Sequence, residues 1–288
     1  MTGKAMSEGA VGRVTLPAGS RAAGASLRFK YWPAAGSPKA VVLIVHGYAE
    51  HLGRYEHVAS ALTAAGYAVF AVDHWGHGRS EGTPGFAPAF SVFLDGLDAL
   101  LAEAKSSFPD KAFFLLGHSM GGLIAASFLQ TRQREFAGAV LSGPSIKAVE
   151  EPPPAVLFIG RILSKIAPKA GLISLDANQV SRDRKVVADY IADPLVYTGK
   201  ISARLGAEMI DAMKAAEDGA AKISLPILIL HGGDDGLTSP QGSRILHERV
   251  SAADKTLKIY DGFYHEIFNE PGKEDVIADV VAWLDAHA

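Results

Sequence analysis

The chain has 288 residues, of which 48% are hydrophobic and 20% charged, and this suits one large α/β domain with an insertion. Its formal net charge of -3 at pH 7 provides no basic excess, so we expect no nucleic-acid partner. The absence of cysteine excludes disulfides, thiolate catalysis and cysteine metal ligands, and it fits a reducing compartment. We therefore expect a cytoplasmic location.

The N-terminal segment and the apolar runs bear on targeting. Met1–Ser20 contains no apolar stretch of the roughly 7–15 residues that a secretory signal peptide requires. No apolar stretch elsewhere reaches the roughly 18 residues of a membrane-spanning helix. The sequence predicts neither a signal peptide nor a membrane span.

Hydrophobic periodicity predicts an alternation of strands and helices. Leu27, Phe29 and Tyr31 alternate with polar residues and indicate an early antiparallel edge strand. Short apolar runs predict further strands near residues 41–46, 67–72, 112–116, 138–142, 226–230 and 256–260. Helical periods lie between most of them, near residues 55–65, 90–107, 119–131, 239–250 and 274–286. Such alternation predicts a mostly parallel sheet with helices on both faces and ligand chemistry at the carboxyl ends of the strands.

The segment Gly117–Gly121 reads G-x-S-x-G and lies between an apolar strand and an apolar helix. That pattern at a strand-to-helix junction is typical of a nucleophile elbow. Gly117 and Gly121 have no Cβ, so strand and helix can approach closely while Ser119 sits on a strained turn. We predict that Ser119 is a catalytic nucleophile, the alternative being a structural glycine-rich turn.

A nucleophilic serine needs a base to remove its proton and an acid to orient that base. In a fold with this elbow, the acid and then the histidine follow the serine along the chain. Asp234 and Asp235 both follow the apolar strand near residues 226–230. We favour Asp235, which lies further out in the loop and completes an H-G-x-x-D pattern, and interpret Asp234 as a solvated or turn-capping group.

Three histidines downstream of these acids compete for the role of base. His265 follows the strand near residues 256–260, where the architecture requires the base. His247 lies in a helical stretch and His287 in the terminal tail, where solvent exposure explains them. We predict that His265 is the base.

Acyl transfer also needs two N–H groups directed at the oxyanion. One comes from the residue after the nucleophile, which is Met120. The other should follow the third strand, Val41–Val45, and we assign it to the backbone of Tyr48. The phenol of Tyr48 could reach the same oxygen, but packing across the mouth of the pocket is the use we favour.

The alternation stops between residue 145 and residue 222. Prolines near Glu150 interrupt the chain, and no strand is predicted before Pro226. A predicted helix, residues 155–166, has one apolar face that further apolar side chains widen beyond a single buried stripe, with cations nearby. The face contains Val156, Ile159, Leu163 and Ile166, and Leu157, Phe158 and Ile162 widen it. Two interpretations remain open: a cap helix packed on the body, or a helix that also touches lipid.

Four segments together resemble the monoacylglycerol lipase and lysophospholipase branch of the α/β-hydrolases. They are His46–Tyr55, Asp73–Ser80, Gly117–Gly122 and Tyr264–Glu266. The resemblance implies an α/β-hydrolase fold with a mostly parallel eight-stranded sheet and a helical cap inserted after strand 6. We accordingly divide the chain into a core, residues 1–144 and 223–288, and a cap, residues 145–222. The family cleaves single-chain acylglycerols without a cofactor, so we expect no cofactor and no metal.

By the same resemblance, Glu50 and Arg54 correspond to the family's contacts to the glycerol end of the substrate. The alternative is an i,i+4 ion pair on the first turns of a helix, contributing a few tenths of a kcal/mol. Some relatives carry a second polar group three residues after the base, where this chain has Phe268. We therefore expect the glycerol end to be held differently here.

These observations predict a carboxylic-ester hydrolase that releases fatty acid and glycerol from monoacylglycerols through a Ser-Asp-His triad and an acyl-enzyme. Its partners would be a small lipid substrate and, through the cap helix, a transient membrane surface. A lysophospholipase or a carboxylesterase for short acyl chains is the nearest alternative. A ligand receptor built on a hydrolase fold is the alternative from another class.

Overall fold

The computed structural model describes residues 9–150 and 153–288. Residues 1–8, which belong to the N-terminal segment searched for a signal peptide, lie outside this part. Glu151 and Pro152, which belong to the proline-containing interruption of the alternation, also lie outside it. Within the described residues, no helix has the length and apolar character needed to cross a bilayer.

The core is an eight-stranded sheet, as predicted. Its strands, in chain order, are β1 (Val11–Thr15), β2 (Ser26–Trp32), β3 (Val41–Val45), β4 (Ala68–Val72), β5 (Phe113–His118), β6 (Gly138–Ser142), β9 (Ile227–Gly232) and β10 (Lys255–Tyr260). The strands β7 (Gly171–Ile173) and β8 (Ile201–Ser202) form a separate two-stranded sheet. The spatial order is β1-β2-β4-β3-β5-β6-β9-β10, and β2 alone runs antiparallel to its neighbours in this sheet. The inner strands β3 to β6 are buried on both faces, which explains their uninterrupted apolar sequences.

Strand β1 is the member of the sheet that the periodicity did not predict. It lies at the edge and pairs with β2, which also pairs with β4, so the prediction of β2 as an edge strand is wrong. Of its five residues, Val14 alone is buried, so no alternating pattern marks it. Edge strands with one solvated face and little core contact give weak sequence signals.

Helices cover both faces of the sheet, as predicted. The apolar cluster on one face contains residues of α1 (Glu56–Ala64) and α8 (Lys273–His287). The cluster on the other face contains residues of α2 (Ser91–Ser107), α3 (Met120–Arg132) and α7 (Pro240–Arg249). The resulting three-layer arrangement leaves the carboxyl ends of the parallel strands at one edge of the molecule.

Between β6 and β9 the chain forms additional elements over the carboxyl edge. They are α4 (Pro154–Ile166), β7 (Gly171–Ile173), α5 (Arg184–Ala192), β8 (Ile201–Ser202) and α6 (Ala203–Asp218). The prediction of no strand before Pro226 is wrong, since β7 and β8 pair antiparallel. Strands of three and two residues are too short to produce a period of two.

Helix α4 buries little of its surface against the rest of the chain. It packs on α6, and Ser164 is its one buried residue. Of the apolar face predicted from the sequence, Val156, Ile159 and Ile166 expose 52%, 55% and 74% of their surface. Much of the predicted apolar face is therefore left uncovered, although the helix does pack on its neighbour. Helix α4 carries apolar residues around most of its circumference, and α6 covers only part of them.

Candidate active site

The turn at Ser119 has the geometry of a nucleophile elbow. Ser119 lies between β5 and α3 with φ 54° and ψ -119°, a backbone region in which L-residues are strained. A Cβ on Gly117 would lie 2.5 Å from the carbonyl oxygen of Gly121, and one on Gly121 would lie 1.9 Å from that of Val45. Both positions therefore require glycine for the helix to approach the sheet.

Three side chains predicted from the sequence meet at this turn. The Nε2 atom of His265 lies 2.8 Å from Oγ of Ser119, and its Nδ1 atom lies 2.7 Å from Oδ2 of Asp235. All three residues are buried. Asp234, by contrast, is exposed. A serine, an imidazole and a carboxylate in hydrogen-bond series are the components of a charge-stabilised nucleophile.

The two rejected histidines lie in helices away from this series. The Nε2 atom of His247 in α7 is 3.4 Å from the carbonyl oxygen of Lys255. His287 in α8 pairs through Nε2 with Asp254 at 2.9 Å. Both contacts are local to the ends of their helices.

Asp235 is held by further donors that the sequence reasoning missed. The backbone N–H groups of Leu237 and Thr238 donate to Oδ1 at 2.8 and 2.9 Å, and the Thr238 hydroxyl donates to Oδ2 at 2.9 Å. His231 Nε2 lies 3.1 Å from Oδ2. Burial alone would raise the pKa of Asp235, but His265 and these partners hold it far below its usual range. His231 is itself the histidine of the H-G-x-x-D pattern, and that pattern was the sequence signal for its contact with Asp235.

The surroundings of the nucleophile shift the pKa values of His265 and His118, whose rings are neighbours, in opposite directions. Burial would lower the pKa of His265, but the Asp235 carboxylate, its hydrogen bond, and the charges of Glu266 and Glu50 raise it overall. Burial and the adjacent His265 lower the pKa of His118 to about 3. The ring centroids of His118 and His265 are 4.8 Å apart. A proton shared by these two rings is therefore favoured on His265, and His118 stays neutral.

The two predicted oxyanion-hole donors flank the nucleophile. Met120 begins α3 directly after Ser119, and Tyr48 follows β3. In the described part of the chain, neither backbone N–H donates to another protein atom. A Cβ on Gly47, the residue before Tyr48, would lie 3.1 Å from Cβ of Ser119, so this loop passes directly against the nucleophile.

The phenol of Tyr48 packs between the core and the cap. Its ring is perpendicular to those of His77 and of Tyr197 in the cap, at centroid distances of 5.7 and 6.5 Å. Its buried hydroxyl has no hydrogen-bond partner among the described residues. Packing rather than hydrogen bonding accounts for the ring in this structure.

Glu50 and Arg54 belong to a buried ionic cluster. Arg54 Nη1 donates to Glu50 Oε2 at 3.0 Å, and its two terminal nitrogens donate to both carboxylate oxygens of Glu266 at 2.5 and 2.7 Å. The ring of Tyr190 from α5 covers the guanidinium at 4.7 Å. Glu266 was not predicted from the sequence as a site residue, because it lies 212 residues from Arg54 along the chain.

A small cavity of about 10 Å³ adjoins this cluster, large enough for about one water molecule. Phe268, which occupies the position where some relatives carry a second polar group, is buried and lines this cavity. The other lining residues are Glu50, Arg54, Tyr55, His118, Glu266 and Asn269.

A second, apolar cavity of about 80 Å³ lies inside the cap. It is formed by α4, α6 and the β7–β8 pair, with Leu157, Ile173 and Ile210 among its lining residues. None of the three residues of the serine–histidine–aspartate series lines it.

Comparison with known proteins places this architecture in a family. Residues 36–272 match the family described as serine aminopeptidase, S33. A monoacylglycerol lipase of Mycolicibacterium smegmatis is 40% identical over 264 residues, covering 92% of this chain and 94% of the relative. Monoacylglycerol lipase of Paleococcus ferrophilus has a TM-score of 0.83 at 34% identity, covering 91% of this chain and 99% of that chain. A soluble variant of Saccharomyces cerevisiae monoglyceride lipase, in complex with a substrate analogue, has a TM-score of 0.83 at 26% identity, covering 98% and 97%.

An elbow serine followed along the chain by a loop carboxylate and a histidine is the arrangement of serine hydrolases with the α/β-hydrolase fold. The chain belongs to the serine aminopeptidase S33 family and to the monoacylglycerol lipase branch of the α/β-hydrolases. The resemblance drawn from the sequence motifs is thereby confirmed.

Proposed function

We propose that the protein is a serine ester hydrolase that cleaves monoacylglycerols to fatty acid and glycerol. The observation that carries this proposal is the series Ser119–His265–Asp235, with separations of 2.8 and 2.7 Å. The relatives named as monoacylglycerol lipases support the substrate class, since they match along nearly the whole chain.

In the proposed reaction, Ser119 attacks the ester carbonyl while His265 removes its proton. Asp235 holds the imidazole and stabilises the imidazolium that forms. The backbone N–H groups of Tyr48 and Met120 donate to the tetrahedral oxyanion. His265 then protonates the departing glycerol, and the same histidine activates the water that cleaves the acyl-enzyme.

The glycerol end of the substrate is assigned to the side of the site where Glu50 and Arg54 lie. These residues border the polar cavity beside His118, and a carboxylate and a guanidinium suit the hydroxyl groups of the leaving alcohol. Because Phe268 occupies the position of the missing polar group, we assign the polar contacts to the glycerol end to the buried ionic cluster. Both residues are proposed as substrate contacts.

The exposed apolar surface of the cap supports contact with a lipid surface. Phe158, Ile162 and Ile166 on α4 expose 65%, 43% and 74% of their surface. Soluble proteins seldom expose contiguous apolar patches of this kind without a partner. Lys165 and Lys169 are exposed nearby and suit anionic headgroups. We assign residues 145–222 as the cap, propose that it brings the enzyme to a membrane surface, and retain the cytoplasmic location as a prediction.

The proposed substrate class is tested by hydrolysis of an acyl-length and headgroup series with purified protein. We expect kcat/KM to be highest on monoacylglycerols, lower on diacylglycerols and negligible on triacylglycerols. Binding of one acyl chain is stabilised by up to about 0.8 kcal/mol for each methylene that it buries. In di- and triacylglycerols the leaving group carries further acyl chains, so it is not a small polar alcohol. Lysophosphatidylcholine should be poorer, because the sequence shows no dedicated aromatic cage for choline.

The Ser119→Ala protein supplies the background rate for this series. Equal rates on mono- and triacylglycerols would contradict the substrate class. A preference for the lysophospholipid or for short-chain esters would favour the alternative hydrolases. Single-turnover labelling with partner binding and no turnover would favour a receptor.

A further inference from the structure

A continuous chain of buried polar contacts connects the loop after β3 with the loop after β10. Its centre is the Arg54 guanidinium, which bonds Glu50 on one side and Glu266 on the other. Glu50 and Glu266 expose 3% and 4% of their surface. Arg54 is thus the bridge between two carboxylates from distant parts of the sequence.

At one end, Glu50 holds the loop that carries the proposed oxyanion donor. Its Oε1 atom accepts the backbone N–H of Gly47 at 2.6 Å and the hydroxyl of Tyr55 at 2.8 Å. Gly47 directly precedes Tyr48, and a Cβ there would lie 2.9 Å from Glu50 Oε1 and 3.1 Å from Cβ of Ser119. The position of the Tyr48 N–H relative to the nucleophile therefore depends on Glu50.

At the other end, Glu266 directly follows the proposed base, His265. Both oxygens of its carboxylate bond Arg54, and Asn269 Nδ2 also donates to Oε2 at 2.9 Å. The Glu266 backbone N–H donates to the carbonyl of Val180 in the cap at 2.8 Å. The backbone that presents His265 is thereby fixed from two directions.

We propose that the Glu50–Arg54–Glu266 cluster is a positioning device that sets the distance between the oxyanion hole and the base, with the carboxylate of Glu266 adding a second negative charge to that of Asp235 in the surroundings of the imidazole. This inference rests on the proposed roles of Ser119, His265 and the Tyr48 N–H. It is independent of glycerol recognition and compatible with the substrate contacts assigned to Glu50 and Arg54.

The charged groups around His265 support a functional role for Glu266. Asp235 faces the imidazole from the loop after β9, His118 from the end of β5, and Glu50 from the loop after β3. Asp235, Glu266 and Glu50 together raise the pKa of His265 against the opposing effect of burial. Burial would raise the pKa of Glu266, but Arg54 lowers it, so Glu266 carries its charge at neutral pH.

Removing the Glu266 charge without changing its shape tests the proposal. For Glu266→Gln, we expect kcat on a soluble nitrophenyl ester to fall roughly tenfold to a hundredfold with little change in KM, because the reacting groups are misplaced. The acid limb of kcat/KM should move to lower pH by about 0.5 to 1 unit, since the base loses a stabilising anion. The rate of fluorophosphonate labelling should fall in parallel with kcat.

Glu270→Gln is the matched control. Glu270 is equally buried and pairs with Arg182 at 2.5 Å, four residues further along the same loop, without contact to His265 or Gly47. It should lower the melting temperature and leave the pH profile in place. If Glu266→Gln likewise changes only the melting temperature, the cluster is structural and the proposal is overturned.

Arg54→Lys provides a second variant should Glu266→Gln fold poorly. Lysine keeps a cation between the carboxylates but loses the bidentate fork. We expect kcat to fall, because the geometry of the cluster changes. The acid limb of kcat/KM should stay near its original pH, because the charges remain. An unchanged kcat would overturn the positioning role. Since both assays use a nitrophenyl ester and a fluorophosphonate, a failure of the monoacylglycerol assignment leaves them unaffected.

Discussion

Ser119 occupies a backbone conformation that costs on the order of 1–3 kcal/mol, and the surrounding glycines and helix maintain it. The strain presents the hydroxyl to His265 at 2.8 Å. The proposed nucleophile is therefore held within hydrogen-bond distance of the proposed base.

Ser119→Ala should abolish acyl-enzyme formation and lower kcat by several orders of magnitude, on the order of 10⁶ as for other triad serines. The measurement is ester turnover together with labelling by a fluorophosphonate. Ser145→Ala is the matched control, because Oγ of Ser145 lies 3.5 Å from Oγ of Ser119. Stoichiometric labelling that persisted in Ser119→Ala would place the nucleophile elsewhere.

Asp235→Asn should lower kcat by roughly 10³ to 10⁴, whereas Asp234→Asn should have little effect. Asp235 is buried and bonds His265, and Asp234 is exposed. The two substitutions are chemically identical and adjacent, so each controls for the other in the same esterase assay. Equal losses would show that both carboxylates hold the loop, or that the acid has been assigned wrongly.

At the scale of elements, the cap differs from the core in how much of it is covered. Helix α6 contributes Leu205, Ala212 and Ala216 to the main apolar cluster, whereas α4 buries only Ser164. Helix α4 therefore packs on α6 and leaves much of its apolar surface exposed, and this exposed surface is the part proposed to contact lipid.

Ile162→Asp should weaken binding to anionic vesicles and slow hydrolysis of long-chain substrate presented in bilayers. Hydrolysis of a soluble short-chain ester should be nearly unchanged, because Ile162 is exposed on α4, which packs on α6. The measurements are vesicle sedimentation and the two hydrolysis rates. Val11→Asp, an exposed apolar position on edge strand β1, is the matched control.

A parallel loss of both activities with a lower melting temperature would instead identify Ile162 as cap packing. Leu157 on the same helix is less suitable for this test than Ile162. It is partly buried and lines the cavity inside the cap, so a charge there would disturb packing.

At the scale of the whole molecule, buried histidines set the response to acid. Burial lowers the pKa of both His74 and His118 to about 3. The unfolded chain protonates these residues near pH 6.5, but the folded chain does not until far lower pH. The free energy of unfolding should therefore fall by about 1.4 kcal/mol per histidine for each pH unit below 6.5.

Denaturant unfolding at pH 7, 6 and 5 tests this expectation. The raised pKa of His265 acts in the opposite direction, stabilising the fold as pH falls, and offsets part of the loss. Burial also lowers the pKa values of His46, His57 and His77, so five histidines against one predict a net decrease in the denaturant midpoint over this interval. A midpoint that stays level or rises from pH 7 to pH 5 would contradict the prediction.

The amino-acid sequence by itself determined the alternating layers, the elbow and the order of serine, acid and histidine. These features are recorded locally, because apolar period, glycine placement and strand-end loops each lie within a few residues. The folded chain brings Ser119, Asp235 and His265 within hydrogen-bond distance.

Only the tertiary structure decided which groups surround that series and which face of α4 is covered. The contact between Arg54 and Glu266 joins residues 212 positions apart, and no local pattern records such a distance. Edge strand β1 and the short β7–β8 pair likewise depend on their partners, since they bury too little to have a period. Periodicity shows that α4 has an apolar surface, but the neighbouring helix determines how much of that surface is buried.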